Sequence, residues 1–251
     1  MGSAKLFDKR FEKKYVLTEE VFEEFIRRVG DRLVPDKYAY SFISNIYFDT
    51  PDYTLIRRSN DGPVYKEKFR IRTYGEPDEK TKTFCEIKKK YKKVVYKRRI
   101  DMSYKKAYNY TVNRVEYNKP CQISREIDWF LSFYKGIGPA IYVSYDRFSL
   151  AGADESAARV TFDRNITWRT TDLDLLKGRH GNKLLPDGFV LMELKIPDAV
   201  PMWLTDILSD LHIYPISFSK CGNAYRQMIG EPLSVDINKV TENQKGRVNK
   251  N

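Results

Sequence analysis

Five short segments of this chain place charged side chains at every second position, and that period fixes the backbone they can adopt. In an extended strand residues i and i+2 share a face. Arg10, Glu12 and Lys14 therefore lie together with Phe11 behind them, and Lys68, Arg70 and Arg72 lie together with Phe69 and Ile71 opposite. Glu86 and Lys88 share a face with Phe84, while Cys85 and Ile87 take the other; Glu193 and Lys195 stand against Met192, Leu194 and Ile196. Arg159, Thr161 and Asp163 stand against Val160 and Phe162. One such strand reads as the ordinary case, an amphipathic strand with a solvated face. Five of them, built on R-x-R and E-x-K pairs, predict a shared charged face, because guanidinium groups suit bidentate phosphate contacts.

Around them, segments 7–17, 41–50, 64–74, 82–90, 93–102, 140–150, 157–163 and 189–196 read as strands, being short and rich in Val, Ile, Phe, Tyr and Thr. Helical spacing is confined to TEEVFEEFIRRV with Thr18 as N-cap, ISREIDWFLSFY after Cys121, PMWLTDILSDL after Val200, and a short stretch from Ser219 to Met228. Many strands with few helices predict an α+β, mainly β fold, its antiparallel sheet closed into a barrel because open edges invite pairing. With the charged face inward, the lumen becomes a cationic funnel punctuated by carboxylates. No repeat or low-complexity linker divides the chain, so 1–230 is expected to form one domain. From 231 to 251 the hydrophobic period is lost, which predicts a frayed or docked tail with poor order.

A content of 41% hydrophobic residues in 251 suffices for a sizeable core and excludes a disordered chain. Lys and Arg number 45 against 34 Asp and Glu, a balance of +11 that calls for a polyanionic partner: nucleic acid, an acidic membrane surface or a phosphate-rich molecule. The run KKKYKKVVYKRR at 88–99 reads at face value as a nucleic-acid patch with interleaved Tyr. Strand alternation splits it between two faces, which argues against nucleic acid and leaves part of it for a solvated hairpin or a rim that touches a phosphate chain. Cys85, Cys121 and Cys221 are odd in number and widely spaced, so neither a disulfide framework nor a zinc site is expected, and a reducing cytoplasm fits. No apolar run long enough for a membrane span and no signal-peptide core occur, giving the expectation of a soluble, cytoplasmic protein. Association with a membrane component outside this chain stays open. His180 and His212 are isolated and read as surface or capping residues, and 178–188 reads as an ordinary loop or a basic rim.

The charged face has a chemical logic. A phosphate chain carries about one negative charge per phosphoryl unit, so cations on several strands are needed along its length and around a transferring group. Carboxylates among those cations make sense as hard-oxygen ligands for Mg²⁺ or Mn²⁺, completed by phosphate oxygens and water.

These residues resemble the triphosphate tunnel metalloenzyme (CYTH-like) superfamily and, within it, the VTC domain, the polyphosphate polymerase domain first recognised in a vacuolar transporter chaperone complex. The resemblance rests on RFEKKY at 10–15, SNIYFDT at 44–50, KFRIRTYG at 68–75, FCEIKKK at 84–90, YKRR at 96–99, YDR at 145–147, RVTFD at 159–163, MELK at 192–195 and SFSKCGNAY at 217–225. It implies an antiparallel tunnel with ATP as phosphoryl donor and growing polyphosphate as acceptor. Carried over by position, it implies Lys14, Arg70, Arg72, Lys88, Arg147, Arg159 and Lys220 as the catalytic phosphate ligands. Arg10, Lys68, Lys195, Lys97 and Arg99 supply further substrate contacts, with Tyr145 and Ser219 as hydroxyl donors. Glu193 is the implied principal metal ligand for Mn²⁺ or Mg²⁺, and Glu12 and Glu86 are weaker ones. The first strand reads R-x-E-x-K and lacks the E-x-E-x-K signature of the wider superfamily, which favours the polymerase branch over triphosphatases, thiamine triphosphatases and class IV adenylate cyclases. Ser217 stands where the family pattern commonly has Lys, and no SPX regulatory domain fits in this length. Hydrolysis of inorganic triphosphate or polyphosphate, and non-catalytic polyphosphate binding, remain the alternatives.

Overall fold

Apolar residues alternate with charged ones along much of β1 (Arg10–Thr18), β3 (Tyr65–Tyr74), β4 (Lys82–Tyr91) and β9 (Phe189–Pro197), and the other described strands are β2 (Leu33–Asp49), β5 (Val94–Ser103), β6 (Gly138–Gly152), β7 (Arg159–Arg169) and β8 (Asn182–Lys183). These strands form a single antiparallel sheet in the order β1-β9-β7-β6-β2-β3-β4-β5, with β8 on β7. The computed structural model describes residues 10–92, 94–153, 158–197 and 199–247, with side chains from Glu12 onward. The helices are α1 (Glu19–Val29), α2 (Thr54–Asn60), α3 (Tyr104–Thr111), α4 (Gln122–Phe133), α5 (Met202–Asp210), α6 (Lys220–Met228) and α7 (Ile237–Gln244). No described helix is long and apolar enough to cross a membrane.

The expected closure into a barrel is not borne out among the described residues: β1 and β5 end the strand order and no hydrogen-bonded ladder joins them there. The sheet is nevertheless strongly curled. β4 stands six strands from β1, which in a flat sheet would part them by about 29 Å at about 4.8 Å per strand. Lys88 on β4 nonetheless lies in the electrostatic field of Glu12 on β1 and Glu193 on β9. Segment 215–219 runs beside β1, with the Ile216 N–H donating to the Lys14 carbonyl at 2.8 Å, and reaches β3, where Ser219 accepts from Lys68 Nζ at 3.1 Å.

Helices cover both faces of the curl. On the convex side α1 and α5 bury Val21, Phe22, Phe25, Leu204 and Leu208 against Leu17, Val160, Phe162, Met192 and Leu194. α3 and α4 bury Ala107, Tyr110, Ile127 and Phe130 against Phe69, Ile71, Cys85 and Ile87. On the concave side Cys221 and Ala224 of α6 pack with Val16, Ile43, Val143 and Leu191. Each of those four strand residues sits two positions from a polar one, namely Lys14, Asn45, Tyr145 and Glu193. Half of the concave face is thus apolar and filled, which gives the charged half a floor.

Thr18 caps α1, its hydroxyl accepting from the Val21 N–H at 3.3 Å as the sequence predicts. β2 starts at Leu33, well before the expected 41, as an arm that pairs with β6 through an irregularity between Pro35 and Tyr40. α2 escapes sequence reading because its cap lies outside it: the buried Asp49 carboxylate accepts the Leu55 and Ile56 N–H groups at 2.9 and 2.8 Å. α3, YKKAYNYT, is rich in strand-forming Tyr. Within the tail expected to fray or dock, α7 is docked on β1. Gln244 is buried, its amide nitrogen donating to the Val16 carbonyl at 2.9 Å and its oxygen accepting from the Thr18 N–H at 2.8 Å. Gln244→Ala leaves both backbone groups unpaired, so urea unfolding should show a loss of about 1–3 kcal/mol, and hydrogen exchange should quicken across α7.

Candidate functional site

Cations from opposite sides of the curled sheet can share a small space only if carboxylates stand between them. Asp163 on β7 is fully buried and accepts from Arg147 Nε at 2.6 Å and Nη2 at 2.8 Å, and also from Lys220 Nζ. Lys220 opens α6, whose N-cap Ser219 accepts from the Gly222 N–H and from Lys68 Nζ, each at 3.1 Å. The Tyr145 ring lies between these groups, with Lys220 Nζ 4.4 Å and the Arg147 guanidinium carbon 5.2 Å from its centroid. Arg72 Nη2 donates to the Tyr145 phenol oxygen at 3.0 Å and its Nε to Asn45 Oδ1 at 2.7 Å. Burial alone would raise the Tyr145 pKa; the charges of Arg72, Arg147 and Lys220 overcome it and bring the phenol down to about 8.

Glu86 on β4 organises a second group. It accepts from Arg70 Nε at 2.8 Å, pairs with Lys97 Nζ at 2.6 Å, and lies 3.9 Å from Arg99. Arg70 Nη1 also donates to the Tyr47 hydroxyl at 2.9 Å. Burial pushes the Glu86 pKa up, but the positive field of Arg70, Arg72 and Lys97 holds it at about 2. Lys97 is shifted down, by burial first, against the pull of Glu86.

Glu193 on β9 is the third centre. It is 8% exposed, pairs with Lys195 Nζ at 2.9 Å and faces Lys14 across the β1–β9 ladder. Burial opposes its ionisation, but Lys195, Lys14, Lys220 and Arg147 keep it well below the usual carboxylate range. Lys14 Nζ donates to the Phe218 carbonyl at 3.0 Å and lies 3.9 Å from Glu12. Lys88 is accessible to water yet surrounded by protein, and that desolvation lowers its pKa against the opposing charge of Glu12.

The concave face therefore gathers Lys14, Lys68, Arg70, Arg72, Lys88, Lys97, Arg99, Tyr145, Arg147, Lys195, Ser219 and Lys220 with Glu12, Glu86 and Glu193. Arg159 shares the face by register but turns to Asp36 at 2.6 Å and is half exposed, since the irregular arm of β2 brings that carboxylate to it. The side chain of Arg10 lies outside the described residues. Asn45 and Tyr47 escape the sequence-based site, and Asp163 is placed on the charged face by sequence without a role. Their signal is alternation: Asn45 and Tyr47 interleave with the apolar Ile46 and Phe48, and Asp163 follows Arg159 and Thr161 at period two.

A divalent cation fits part of the expected carboxylate set. Three cations surround Glu86, with Arg70 on Oε2 and Lys97 and, at 3.9 Å, Arg99 on the side of Oε1. Glu193 and Glu12 are diagonal neighbours on paired strands, within reach of one another. Opposite Glu193 stands the buried Thr161 hydroxyl, which has no hydrogen-bond partner among the described residues. No group of three or more His, Cys, Asp or Glu residues with metal-binding geometry occurs among the described residues. Two carboxylates suit Mg²⁺ or Mn²⁺ whose other ligands are water and phosphate oxygens.

Two pH measurements check these electrostatics. The Glu86 pKa is depressed on folding, from the ordinary 4.5 to about 2. Its contribution, on the order of 3 kcal/mol, is complete above the unfolded pKa and is lost as pH falls through the folded one. Glu86→Gln should therefore flatten the fall in stability between about pH 4.5 and 2, read by urea unfolding at each pH. Ultraviolet difference titration should show one tyrosine ionising near pH 8, a transition that Tyr145→Phe removes.

The family model of the VTC domain matches residues 9–229. Among solved structures, a Hippeastrum protein described as an adenylyl cyclase candidate with a dominant triphosphatase activity shares 13% identity at a TM-score of 0.49, covering 88% of this chain and 96% of its own. An adenylate cyclase candidate from Bacillus halodurans gives 13% and 0.48, covering 83% and 92%. One from Vibrio parahaemolyticus gives 11% and 0.43, covering 88% and 97%. No curated protein matches the chain.

Proposed function

This chain belongs to the VTC domain family, and we propose that its curled basic face carries out metal-dependent phosphoryl transfer, synthesising polyphosphate from ATP. The observation that carries the reading is convergence: Arg147 from β6, Lys220 from α6 and Arg72 from β3 meet around one buried tyrosine, with Glu193 close enough to feel two of them. A phosphoryl group placed there finds donors on several sides, which is what charge spread over its equatorial oxygens requires.

In this reading the terminal oxygen of an acceptor phosphate chain attacks the γ-phosphorus of ATP in line. A new P–O bond forms as the bond to the β–γ bridging oxygen breaks, and ADP leaves with the electron pair. Arg72, Arg147 and Lys220 hold the transferring group, Arg70 and Lys88 hold neighbouring phosphates, and Lys14 bears on the side of Glu193. No protein base is needed, because the attacking oxygen is already ionised; positioning and charge neutralisation do the chemistry. Glu193, with Glu12, would hold Mg²⁺ or Mn²⁺, which supplies Lewis-acid neutralisation of phosphate oxygens when bound. Asp163 and Glu86 are positioning residues that keep the guanidinium groups aimed in the absence of ligand.

The test is incubation with ATP and Mn²⁺ and separation of products on a polyphosphate gel. A ladder is expected; free phosphate alone, or no product, overturns polymerisation. Glu193→Gln should abolish turnover while triphosphate still binds, whereas Arg72→Ala should weaken triphosphate binding by about 1.5–3 kcal/mol, read by calorimetry.

A further inference from the structure

Alternation splits the basic run at 88–99 between two faces, and the concave site takes up only one half of it. The other half belongs to a different surface. Lys89 and Tyr91 on β4 share the convex face with Val94, Tyr96 and Arg98 on β5, and Tyr65 on β3 stands opposite Tyr91. Of these, Tyr65, Tyr91, Val94 and Tyr96 are exposed. Single apolar side chains at a surface are ordinary, whereas a contiguous group of them marks a contact site.

The group continues onto α4. Ile127, Phe130 and Leu131 turn one side of that helix into the core, which leaves Arg125, Trp129 and Phe133 outward at helical spacing. Trp129 and Phe133 are 53% and 59% exposed and stack with ring centroids 4.7 Å apart. Two contacts join helix to sheet. Lys89 Nζ lies 5.7 Å from the Trp129 ring centroid. The Tyr134 ring meets Phe133 edge-on at 5.0 Å, and its hydroxyl donates to Glu67, which also accepts from the Tyr65 hydroxyl at 2.9 Å. The carboxylates beneath the patch are thereby engaged: Glu126 is shared by Lys89 and Arg98, and Glu67 holds two phenols. At the margin Lys90, Lys92, Arg125 and Lys135 have no carboxylate within ion-pair distance among the described residues.

We propose that this surface docks the protein on an anionic lipid surface, with Trp129, Phe133 and the end of the β4–β5 hairpin seated at the level of the headgroups. Tryptophan and tyrosine combine an apolar ring with a polar edge, which suits a membrane–water interface. The marginal cations complement anionic headgroups. Apolar exposure also wraps around the hairpin: Tyr91 and Val94 face the convex side, while the exposed Val95, opposite Lys90, faces the concave side. A flat protein partner covers one face of a hairpin, whereas a fluid surface closes around both. Stacking on Phe133 covers one face of the Trp129 ring, which counts against a nucleic-acid base in that place. The inference stands apart from the proposed function, because the aromatic patch lies on the other side of the sheet from the basic site.

The test is co-sedimentation of the full chain with vesicles of phosphatidylcholine alone and of phosphatidylcholine mixed with phosphatidylserine. Wild type is expected to sediment with the mixed vesicles, its tryptophan emission moving to shorter wavelength, and to stay in solution with phosphatidylcholine alone. Trp129→Ser/Phe133→Ser should lose at least about tenfold in vesicle affinity, with its thermal melt unchanged. Trp129→Phe should still sediment but lose the emission shift, a readout that does not depend on the serine pair folding. A serine pair that binds as wild type does, or an emission shift that survives Trp129→Phe, overturns the patch and leaves only the general attraction of a basic protein. Equal binding to both kinds of vesicle overturns the role of the marginal cations. A wild type that stays in solution with both overturns lipid docking; should it self-associate in the ultracentrifuge where the serine pair does not, the patch is an interface between copies.

Discussion

Charge compensation on a concave surface is the constraint from which the rest of this architecture follows. Curling the sheet brings β4 under the influence of β1 and β9, and without interleaved anions the gathered lysines and arginines would force it open. Asp163, Glu86 and Glu193 are the anions that prevent this. Each is nearly or wholly buried, and each is kept ionised by at least two cations that overcome the cost of burial. Removing one of them would leave desolvated cations unpaired, a change costing more than the loss of the pair's own attraction.

The same compensation explains how the site can be prepared before any ligand arrives. Arg147 is held along one guanidinium edge, Nε and Nη2, by the two Asp163 oxygens, and Arg70 is held by Glu86 and Tyr47. Their rotamers are fixed by protein oxygens standing where some of a ligand's oxygens would otherwise be needed. Ordering entropy is spent in folding rather than at binding. The Lys68–Lys88 and Lys66–Lys90 pairs of β3 and β4 are the counter-example, a region where fixed anions are missing and repulsion persists.

The floor of the cavity is equally a matter of alternation. Val16, Ile43, Val143 and Leu191 share their face with Lys14, Asn45, Tyr145 and Glu193, so one strand face changes from apolar to charged within two residues. α6 reads both halves. Cys221 and Ala224 pack into the apolar half, while Ser219 and Lys220 at its N-terminus reach the charged half, where the positive end of the helix adds to the field felt by an anion.

The period-two placement of Arg70 and Arg72, of Glu86 and Lys88, and of Glu193 and Lys195 determined from sequence that these residues share faces, because strand geometry permits nothing else. It also determined the apolar reverse of each strand, and the Thr18 cap of α1 followed from local chemistry. What tertiary structure alone decided was which side chains meet. Glu86, a weaker metal candidate by sequence, is enclosed by Arg70, Lys97 and Arg99, and Arg159, a phosphate-ligand candidate by sequence, pairs with Asp36. α2 is capped by Asp49 from the preceding strand, and α7 is docked by one glutamine on the backbone of β1. That no ladder joins β1 and β5 among the described residues could not be read either. Alternation specifies the face a residue occupies, whereas closure and ion pairing depend on strand order and curvature, which bring together residues far apart in the chain.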